Sequence, residues 1–201
     1  MRYLRALFLC SALCAVALPA SGDSVTIRNL DGRPVQLLGP SARASAVFFI
    51  ATDCPISNWY APTIQQVCRE YSARGVDCTL VYEDVDLGAS PKPLDDSVRK
   101  HLEEYRYGAT FPATVDRTRA VAKRAKATVT PSVVLVDRAG DIRYRGRIDN
   151  AYADLGKPRQ KVTSHELRDA LEAVTNGRRV ATPESEAVGC YIVDPASIRK
   201  K

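Results

Sequence analysis

The sequence predicts a single α/β domain, and three observations point to this class. Two short apolar runs, Ala46–Ala51 (AVFFIA) and Ser132–Asp137 (SVVLVD), are typical of strands buried on both faces of a sheet. Helical patterns lie between these runs and after them, which is the arrangement of an α/β protein. The 201 residues are 45% hydrophobic and 26% charged, enough for one core. This composition excludes collagen-like, coiled-coil and disordered chains.

The first 22 residues have the pattern of a secretory signal peptide. Arg2 and Arg5 form a charged start, Ala6–Leu18 is apolar, and Ala20–Gly22 supplies the small residues of a cleavage site. The apolar run is too short to cross a hydrocarbon core that needs about 20 helical residues. We expect cleavage and export to the periplasm or beyond, without stable membrane insertion afterwards. An uncleaved anchor is the alternative.

The first half of the mature chain alternates strands with one long helix. A hairpin turns at Asp31-Gly32, and the buried strand described above is followed by a helix that Gly75 ends. A second strand comes next and leads into a loop rich in Pro, Gly and Asp. The expected ranges are Ser24–Leu38 for the hairpin, about Ser57–Arg74 for the helix, Cys78–Tyr82 for the strand and Asp84–Asp95 for the loop.

The second half adds three helices and a strand pair. A capping box at Thr163–Glu166 opens the last helix, and Asn176-Gly177 closes it. We expect a helix with one buried face, a short strand, a basic helix, and a hairpin that turns after the second buried strand. The buried face of the first helix carries Val98, Leu102 and Tyr105, and the short strand is Ala113–Val115. The basic helix is Thr118–Lys126, and the hairpin continues through Asp141–Arg147. We divide the chain into a signal peptide (1–22), one domain (23–176) and a C-terminal extension (177–201).

Charge and histidine content exclude several classes of function. Removing Arg2 and Arg5 from a net charge of +6 leaves +4, which favours no particular partner. Five basic residues within ten could form a polyanion site, but we expect a solvated helix face: Arg117, Arg119, Lys123, Arg124 and Lys126. Export argues against nucleic acid as a partner. The histidines, His101 and His165, are expected to be exposed, and the lack of a CxxC pair argues against a zinc site.

Cys54 is the residue to which the sequence assigns chemistry. It follows a buried strand and precedes a helix, and Pro55 occupies or adjoins the first helical position, where its missing amide costs nothing. Free N–H groups and the positive end of the helix dipole stabilise a thiolate there, so we expect a lowered pKa. The alternative is a buried structural cysteine. Trp59 either lines the thiol site or packs beneath the first helical turn.

Thr130-Pro131 stands directly before the second buried strand. A proline has no backbone N–H to donate to a neighbouring strand, so its position at the start of a central strand requires an explanation. One reason is a cis peptide that shapes a substrate-docking edge. An ordinary strand-opening proline is the alternative.

Together these motifs resemble the thioredoxin superfamily in its redoxin branch, over roughly Val25–Leu171. CPIS at Cys54–Ser57 aligns with the CxxC of the family, Pro62 with its helix-kinking proline, and Thr130–Gly146 with its cis-proline loop and terminal hairpin. The resemblance implies a central mixed sheet flanked by helices, with an N-terminal hairpin and a redoxin-type insertion between Asp84 and Lys126. The candidate substrate-docking residues are Thr130, Pro131, Pro55 and Trp59. No cofactor and no metal are expected.

Three departures from family patterns narrow the chemistry. Ser57 replaces the second cysteine of CxxC, so the motif cannot close its own disulfide, although Ser57 could donate a hydrogen bond to a thiolate. Peroxiredoxins have PxxxTxxC, but Val47 and Ala51 occupy those positions here. Copper chaperones of the Sco type have CxxxC, and the second cysteine position holds Asn58.

Geometry limits how the four mature cysteines can pair. Cys68 lies fourteen residues along the helix from Cys54, about 21 Å away. A disulfide needs Cα atoms within about 7 Å, so that pair is excluded. Cys68 and Cys78 could meet across the Gly75 turn as a structural disulfide. By elimination Cys54 pairs with Cys190, if it pairs at all, and the extended tail is long enough, at roughly 46 Å.

The sequence therefore predicts an exported thiol–disulfide oxidoreductase with Cys54 as the nucleophile and Cys190 as the candidate resolving cysteine. Its expected partners are a protein or small-molecule disulfide, or a peroxide, and an unidentified electron donor. An antioxidant peroxidase is one alternative. A redox-inert binding module with a structural Cys54–Cys190 bridge is another.

Overall fold

The computed structural model describes residues 24–85, 90, 92–108 and 111–198. The expected signal peptide at 1–22 lies outside these residues. Along the described chain the elements are β1 Val25–Arg28, β2 Pro34–Leu37, β3 Ala44–Ile50, α1 Pro55–Ser72, β4 Val76–Tyr82, α2 Lys92–Glu104, β5 Ala113–Val115, α3 Ala120–Ala125, β6 Val129–Thr130, β7 Ser132–Val136, β8 Ile142–Gly146, β9 Tyr152–Asp154, β10 Lys157–Pro158, α4 Glu166–Thr175, β11 Cys190–Tyr191 and α5 Pro195–Ile198.

A five-stranded mixed sheet forms the centre of the molecule, in the order β5-β4-β3-β7-β8. β3, β4 and β5 run parallel, whereas β7 lies antiparallel to β3 and to β8. The parallel part needs helical crossovers, which α1 and α2 supply. This arrangement confirms the predicted thioredoxin-like α/β fold with its N-terminal hairpin, β1–β2.

Both faces of the central strands are buried, as the apolar runs predict. On β3, Phe48 and Ile50 pack into the core on one face, and Val47 and Phe49 pack into the core on the other. The first core contains apolar residues of α1 and α4, and the second contains those of α3. Because the side chains of a strand alternate between faces, one continuous apolar run serves both cores.

Two predictions about the helices are wrong. No capping box forms at α4: the hydroxyl of Thr163 accepts a hydrogen bond from Asn150, and Glu166 pairs with Arg147 and Ser164. His101 is buried rather than exposed, with 5% of its surface accessible. His165, by contrast, is exposed directly before α4.

The basic helix is shorter than predicted and is not a uniformly solvated face. Arg119, at the N-cap of α3, is 2% exposed, because its guanidinium turns inward onto backbone carbonyls. Arg117 pairs with Asp95, with 2.6 Å between nitrogen and oxygen. Lys123 is exposed, and its amine lies 2.9 Å from a carboxylate oxygen of Asp194 in the tail.

Residues 177–198, called the tail below, pack against β8 and then pair with β6. Ser185 packs against Gly146 at the end of β8, and Arg145 donates its amide to the carbonyl of Pro183. Further on, β11 pairs antiparallel with β6. No helix within the described ranges is long and apolar enough to cross a bilayer.

Candidate active site around Cys54 and Cys190

Cys54 occupies the N-cap of α1, directly after the loop that leaves β3. Its sulfur accepts a hydrogen bond from the amide of Ser57 at 3.5 Å and, as a thiol, donates one to the carbonyl of Thr130 at 3.1 Å. None of the Cys54 surface is exposed. Pro55 follows at the first helical position and is exposed. The first turn of α1 therefore presents the backbone amide of Ser57 to the sulfur, as the sequence predicts.

The tail places Cys190 beside Thr130, the residue whose carbonyl contacts the Cys54 sulfur. In the β6–β11 ladder Cys190 lies opposite Thr130, and Ile192 continues the ladder by donating its amide to the carbonyl of Thr128 at 2.9 Å. Cys54 and Cys190 are free thiols, and each shifts the pKa of the other. The two cysteines that elimination pairs in the sequence are thus neighbours in the structure.

The environment separates the two thiols in acidity. Burial raises the pKa of Cys54, but hydrogen bonds from Cys190 and Ser57 outweigh burial, so this pKa lies below its ordinary value. Burial and the hydrogen bond to the Cys54 sulfur raise the pKa of Cys190 to about 12. The two pKa values are shifted in opposite directions, so Cys54 is the more acidic of the two thiols.

Ser57 stands beneath this pair. It is buried on the first turn of α1, and within the described part of the chain its hydroxyl has no geometrically well-formed hydrogen bond with any group. The side chain acts on the Cys54 sulfur by lowering its pKa. Ser57 occupies the position of the second cysteine in a CxxC motif. Its hydroxyl can donate a hydrogen bond to a Cys54 thiolate, but it cannot form a disulfide with Cys54.

Thr130 and Pro131 form the opposite wall of the site, and the peptide bond between them is cis. Pro131 is buried, because the tail crosses directly over it. Trp59 is 49% exposed and makes edge-to-face contacts with Tyr60 and Tyr152, at 4.9 and 5.4 Å between ring centroids. It belongs to an aromatic surface beside the helix start rather than to the core beneath the first turn.

A carboxylate that the sequence analysis missed holds the loop before Cys54. Asp84 accepts a hydrogen bond from the amide of Thr52 at 3.0 Å and another from its hydroxyl. Burial raises the pKa of Asp84. Thr52 follows β3 and Asp84 follows β4, and these strands are adjacent and parallel. The order of elements in the sequence could therefore have predicted that both residues lie at the same edge of the sheet.

A second missed group links α2 to the helix that carries Cys54. The His101 ring bonds Asn58 through Nε2 at 2.8 Å and Tyr82 through Nδ1 at 2.9 Å, and Asn58 donates to the carbonyl of Thr52 at 3.2 Å. Because an amide oxygen only accepts, Nε2 carries the proton. Asn58 could have indicated this link from the sequence, because a polar side chain on the first turn of α1 needs a hydrogen-bond partner.

The third missed group is an ion pair below the tail. Nε of Arg119 donates to the carbonyl of Val193 at 2.9 Å and lies 3.3 Å from a carboxylate oxygen of Glu83. The same guanidinium donates to the carbonyls of Glu83 and Asp84. Burial and the nearby Asp116 carboxylate raise the pKa of Glu83, and the Arg119 guanidinium opposes this rise. The spacing of charges along α3 does not reveal this inward direction.

The other two mature cysteines stand apart from this site. Cys68 and Cys78 form a disulfide that joins α1 to β4, with 5.9 Å between their Cα atoms. Within the described ranges no group of three or more His, Cys, Asp or Glu side chains is arranged to hold a metal ion.

A family model shows the family of the chain, and two solved structures are similar to it over most of its length. The redoxin family model matches residues 18–156, more than half of the chain. An uncharacterized conserved protein from Geobacillus kaustophilus is 28% identical with a TM-score of 0.72, over 88% of this chain and 91% of that one. A hypothetical protein from Sinorhizobium meliloti is 26% identical with a TM-score of 0.71, over 89% and 94%.

A more distant likeness supports the fold alone. A thiol-disulfide oxidoreductase from Bacteroides fragilis is 15% identical with a TM-score of 0.51, over 62% of this chain and 88% of that one. No curated protein matches the sequence. The family match, the mixed sheet and the cis-proline loop lead to one assignment: the chain belongs to the redoxin family of the thioredoxin superfamily.

Proposed function

We propose that the protein is an exported thiol–disulfide oxidoreductase in which Cys54 attacks a disulfide and Cys190 resolves the intermediate. One observation carries this proposal: two free thiols, Cys54 and Cys190, lie together at the start of α1, and their pKa values are shifted in opposite directions. Membership of the redoxin family supports it.

The proposed reaction has two balanced exchange steps. The Cys54 thiolate attacks one sulfur of a substrate disulfide, forms a mixed disulfide and expels the other sulfur as a thiolate. Cys190, once deprotonated by that leaving thiolate, attacks the Cys54 sulfur and releases the second substrate thiol. The substrate gains two electrons, and the protein retains a Cys54–Cys190 disulfide, which a dithiol donor must reduce before the next cycle.

The location of Cys190 supports resolution by the tail. It lies opposite Thr130, whose carbonyl contacts the Cys54 sulfur. The second exchange therefore needs little movement once the substrate backbone, still joined to Cys54 by the mixed disulfide, has moved off this edge. Its raised pKa keeps it protonated and unreactive while Cys54 is a free thiolate. Ser57 cannot resolve the intermediate, so the tail supplies the second sulfur.

A non-reducing peptide map of the mature protein across a glutathione redox series tests this function. We expect the Cys54–Cys190 bond to form and open reversibly while Cys68–Cys78 stays closed. A Cys54–Cys190 bond as resistant as Cys68–Cys78 would show a redox-inert module. A Cys54 that is never paired would remove Cys190 from the mechanism, and rapid sulfenic acid formation with dilute peroxide would favour a peroxidase instead.

Export belongs to the same proposal and has its own test. The Arg2 and Arg5 charges, the apolar run Ala6–Leu18 and a disulfide between Cys68 and Cys78 support passage into an oxidising compartment. N-terminal sequencing of the native protein should begin at Asp23. An intact N-terminus on a membrane-bound protein would indicate an uncleaved anchor.

A further inference from the structure

We propose that the edge of β6 selects extended substrate segments in which a glycine directly precedes the reacting cysteine, and that residues 189–191 of the tail are its internal occupant. This inference rests on the proposed function and names the substrate class of the same site: a protein or peptide disulfide rather than a small one. The tail already docks a Gly-Cys-Tyr sequence against Thr130 and shows what the edge accepts.

The requirement for glycine comes from the close approach of two backbones. A Cβ built on Gly189 would lie 2.0 Å from the carbonyl oxygen of Thr130, 2.6 Å from its carbonyl carbon and 3.1 Å from the nitrogen of Pro131. These obstacles are backbone atoms of the cis-proline loop, which cannot turn aside as a flexible side chain can. Gly189 has no positive φ, so it is required by space and not by conformation.

The position after the cysteine carries no comparable restriction. Tyr191 is 79% exposed although it belongs to the β6–β11 ladder, so its ring projects into solvent instead of into a pocket. Recognition therefore uses main-chain pairing and the space beside Thr130, and it tolerates changes after the cysteine.

The same edge cannot hold the tail and a substrate together. β6 has two residues, Val129 and Thr130, and β11 pairs with both. With the tail docked, Cys54 has no exposed surface. A substrate segment must therefore displace β11. Its backbone then leaves β6 while its sulfur is still bonded to Cys54, and the returning tail brings Cys190 to the Cys54 sulfur.

Activated peptides test this selection on the full mature chain. The probe is Ala-Val-Gly-Cys-Tyr-Ile-Val-Asp with its cysteine in a disulfide with nitrothiobenzoate, and the protein is the Cys190→Ser variant, which traps the mixed disulfide. Cys54 attacks the peptide sulfur and expels coloured nitrothiobenzoate, so the exchange needs no other oxidant. Matched peptides carry Ala in place of Gly, or Ser in place of Tyr, and glutathione calibrates their intrinsic reactivity.

We expect the alanine peptide to react about tenfold more slowly than the glycine peptide, and the serine peptide to match the glycine peptide. A Gly189→Ala/Cys190→Ser variant should react faster with the glycine peptide, since its own tail no longer fits the edge. Equal rates for the glycine and alanine peptides, or no gain from Gly189→Ala, would overturn the inference. A Gly189→Ala/Cys190→Ser protein inert toward dithiobis(nitrobenzoate) itself would instead overturn the proposed function, and the inference with it. The Cys54→Ser/Cys190→Ser variant gives the background rate.

Discussion

Cys54 has no exposed surface, yet its pKa is lowered rather than raised. Burial alone would favour the neutral thiol, so the thiolate depends on donors aimed at the sulfur. The amide of Ser57 is one of them and the thiol of Cys190 is another. Reactivity at this residue is therefore sensitive to the loss of a single hydrogen bond.

Ser57→Ala should raise the pKa of Cys54, because it removes a donor that lowers it. The pH at which the ultraviolet absorbance of the thiolate appears should shift upward, and alkylation of Cys54 near neutral pH should slow several-fold. Ser97→Ala is the matched control, since its hydroxyl caps a carbonyl in α2 away from the site. An unchanged titration in Ser57→Ala would show that backbone donors alone stabilise the thiolate.

Residue chemistry was predictable from sequence where it depends on local position. A cysteine before Pro55 and a helical pattern implies an N-cap, and the structure places Cys54 there. The directions of Arg119 and His101 depend instead on partners far along the chain, Val193 and Tyr82. Periodicity identifies a buried face only for apolar residues, so two buried polar side chains were assigned to solvent.

At the scale of elements, α2 is attached to the site through a buried histidine. His101 stacks on Tyr105, with 4.4 Å between ring centroids, and bonds both Asn58 of α1 and Tyr82 of β4. Its neutral form uses each nitrogen once, as donor to Asn58 and as acceptor from Tyr82. Protonation would place a second donor against Tyr82 and require reorganisation of this contact.

This attachment predicts a pH dependence of stability. Burial lowers the pKa of His101 below 6.5, with a smaller opposing effect from Glu104, so the unfolded chain binds the proton more tightly. The stabilisation is complete above about pH 6.5 and is lost as pH falls through the folded-state pKa. In urea unfolding, His101→Gln should reduce the loss of unfolding free energy on acidification. His165→Gln, at an exposed position, should retain it, and equal slopes for His101→Gln and the parent would contradict the account.

The Cys68–Cys78 disulfide makes a separate contribution to the same helix. It closes a loop across a sequence separation of 10 between α1 and β4. Replacing both cysteines by alanine should reduce the free energy of unfolding by about 3 kcal/mol in denaturant titrations, mainly through loop entropy in the unfolded chain. Cys54 should keep its alkylation rate, because the bridge lies near the other end of α1. A loss of that reactivity would tie the bridge to the site.

The tail connects these elements at the scale of the whole molecule, and it marks the limit of prediction from sequence. Chain length shows that Cys190 can reach Cys54, but a two-residue strand such as β11 has no periodicity to detect. Its pairing depends on Gly189 clearing Thr130 and on Arg119 binding the carbonyl of Val193. The tail docks because distant parts of the fold provide its partners.

Arg119 is the residue on which tail docking should depend most. Its guanidinium joins Val193 to the loop after β4, where Asp84 holds Thr52, so one side chain connects the tail to the Cys54 loop. Arg119→Ala should release the tail and raise hydrogen exchange at the Ile192 amide by about tenfold or more, since hydrogen bonds from charged donors are worth roughly 1.5–3 kcal/mol. Cys190 should then alkylate faster.

Two further variants show which of the Arg119 contacts holds the tail. Glu83→Gln removes the ion pair but leaves the carbonyl contacts of Arg119, so the Ile192 amide should stay protected. Lys123→Ala removes a solvent-exposed pair with Asp194 on the same tail and should change exchange by less than about twofold, because such pairs contribute little. If Lys123→Ala frees Ile192 as much as Arg119→Ala does, surface charge and not the buried guanidinium holds the tail. If Glu83→Gln alone frees it, the ion pair positions Arg119, and access to Cys54 depends on a buried carboxylate.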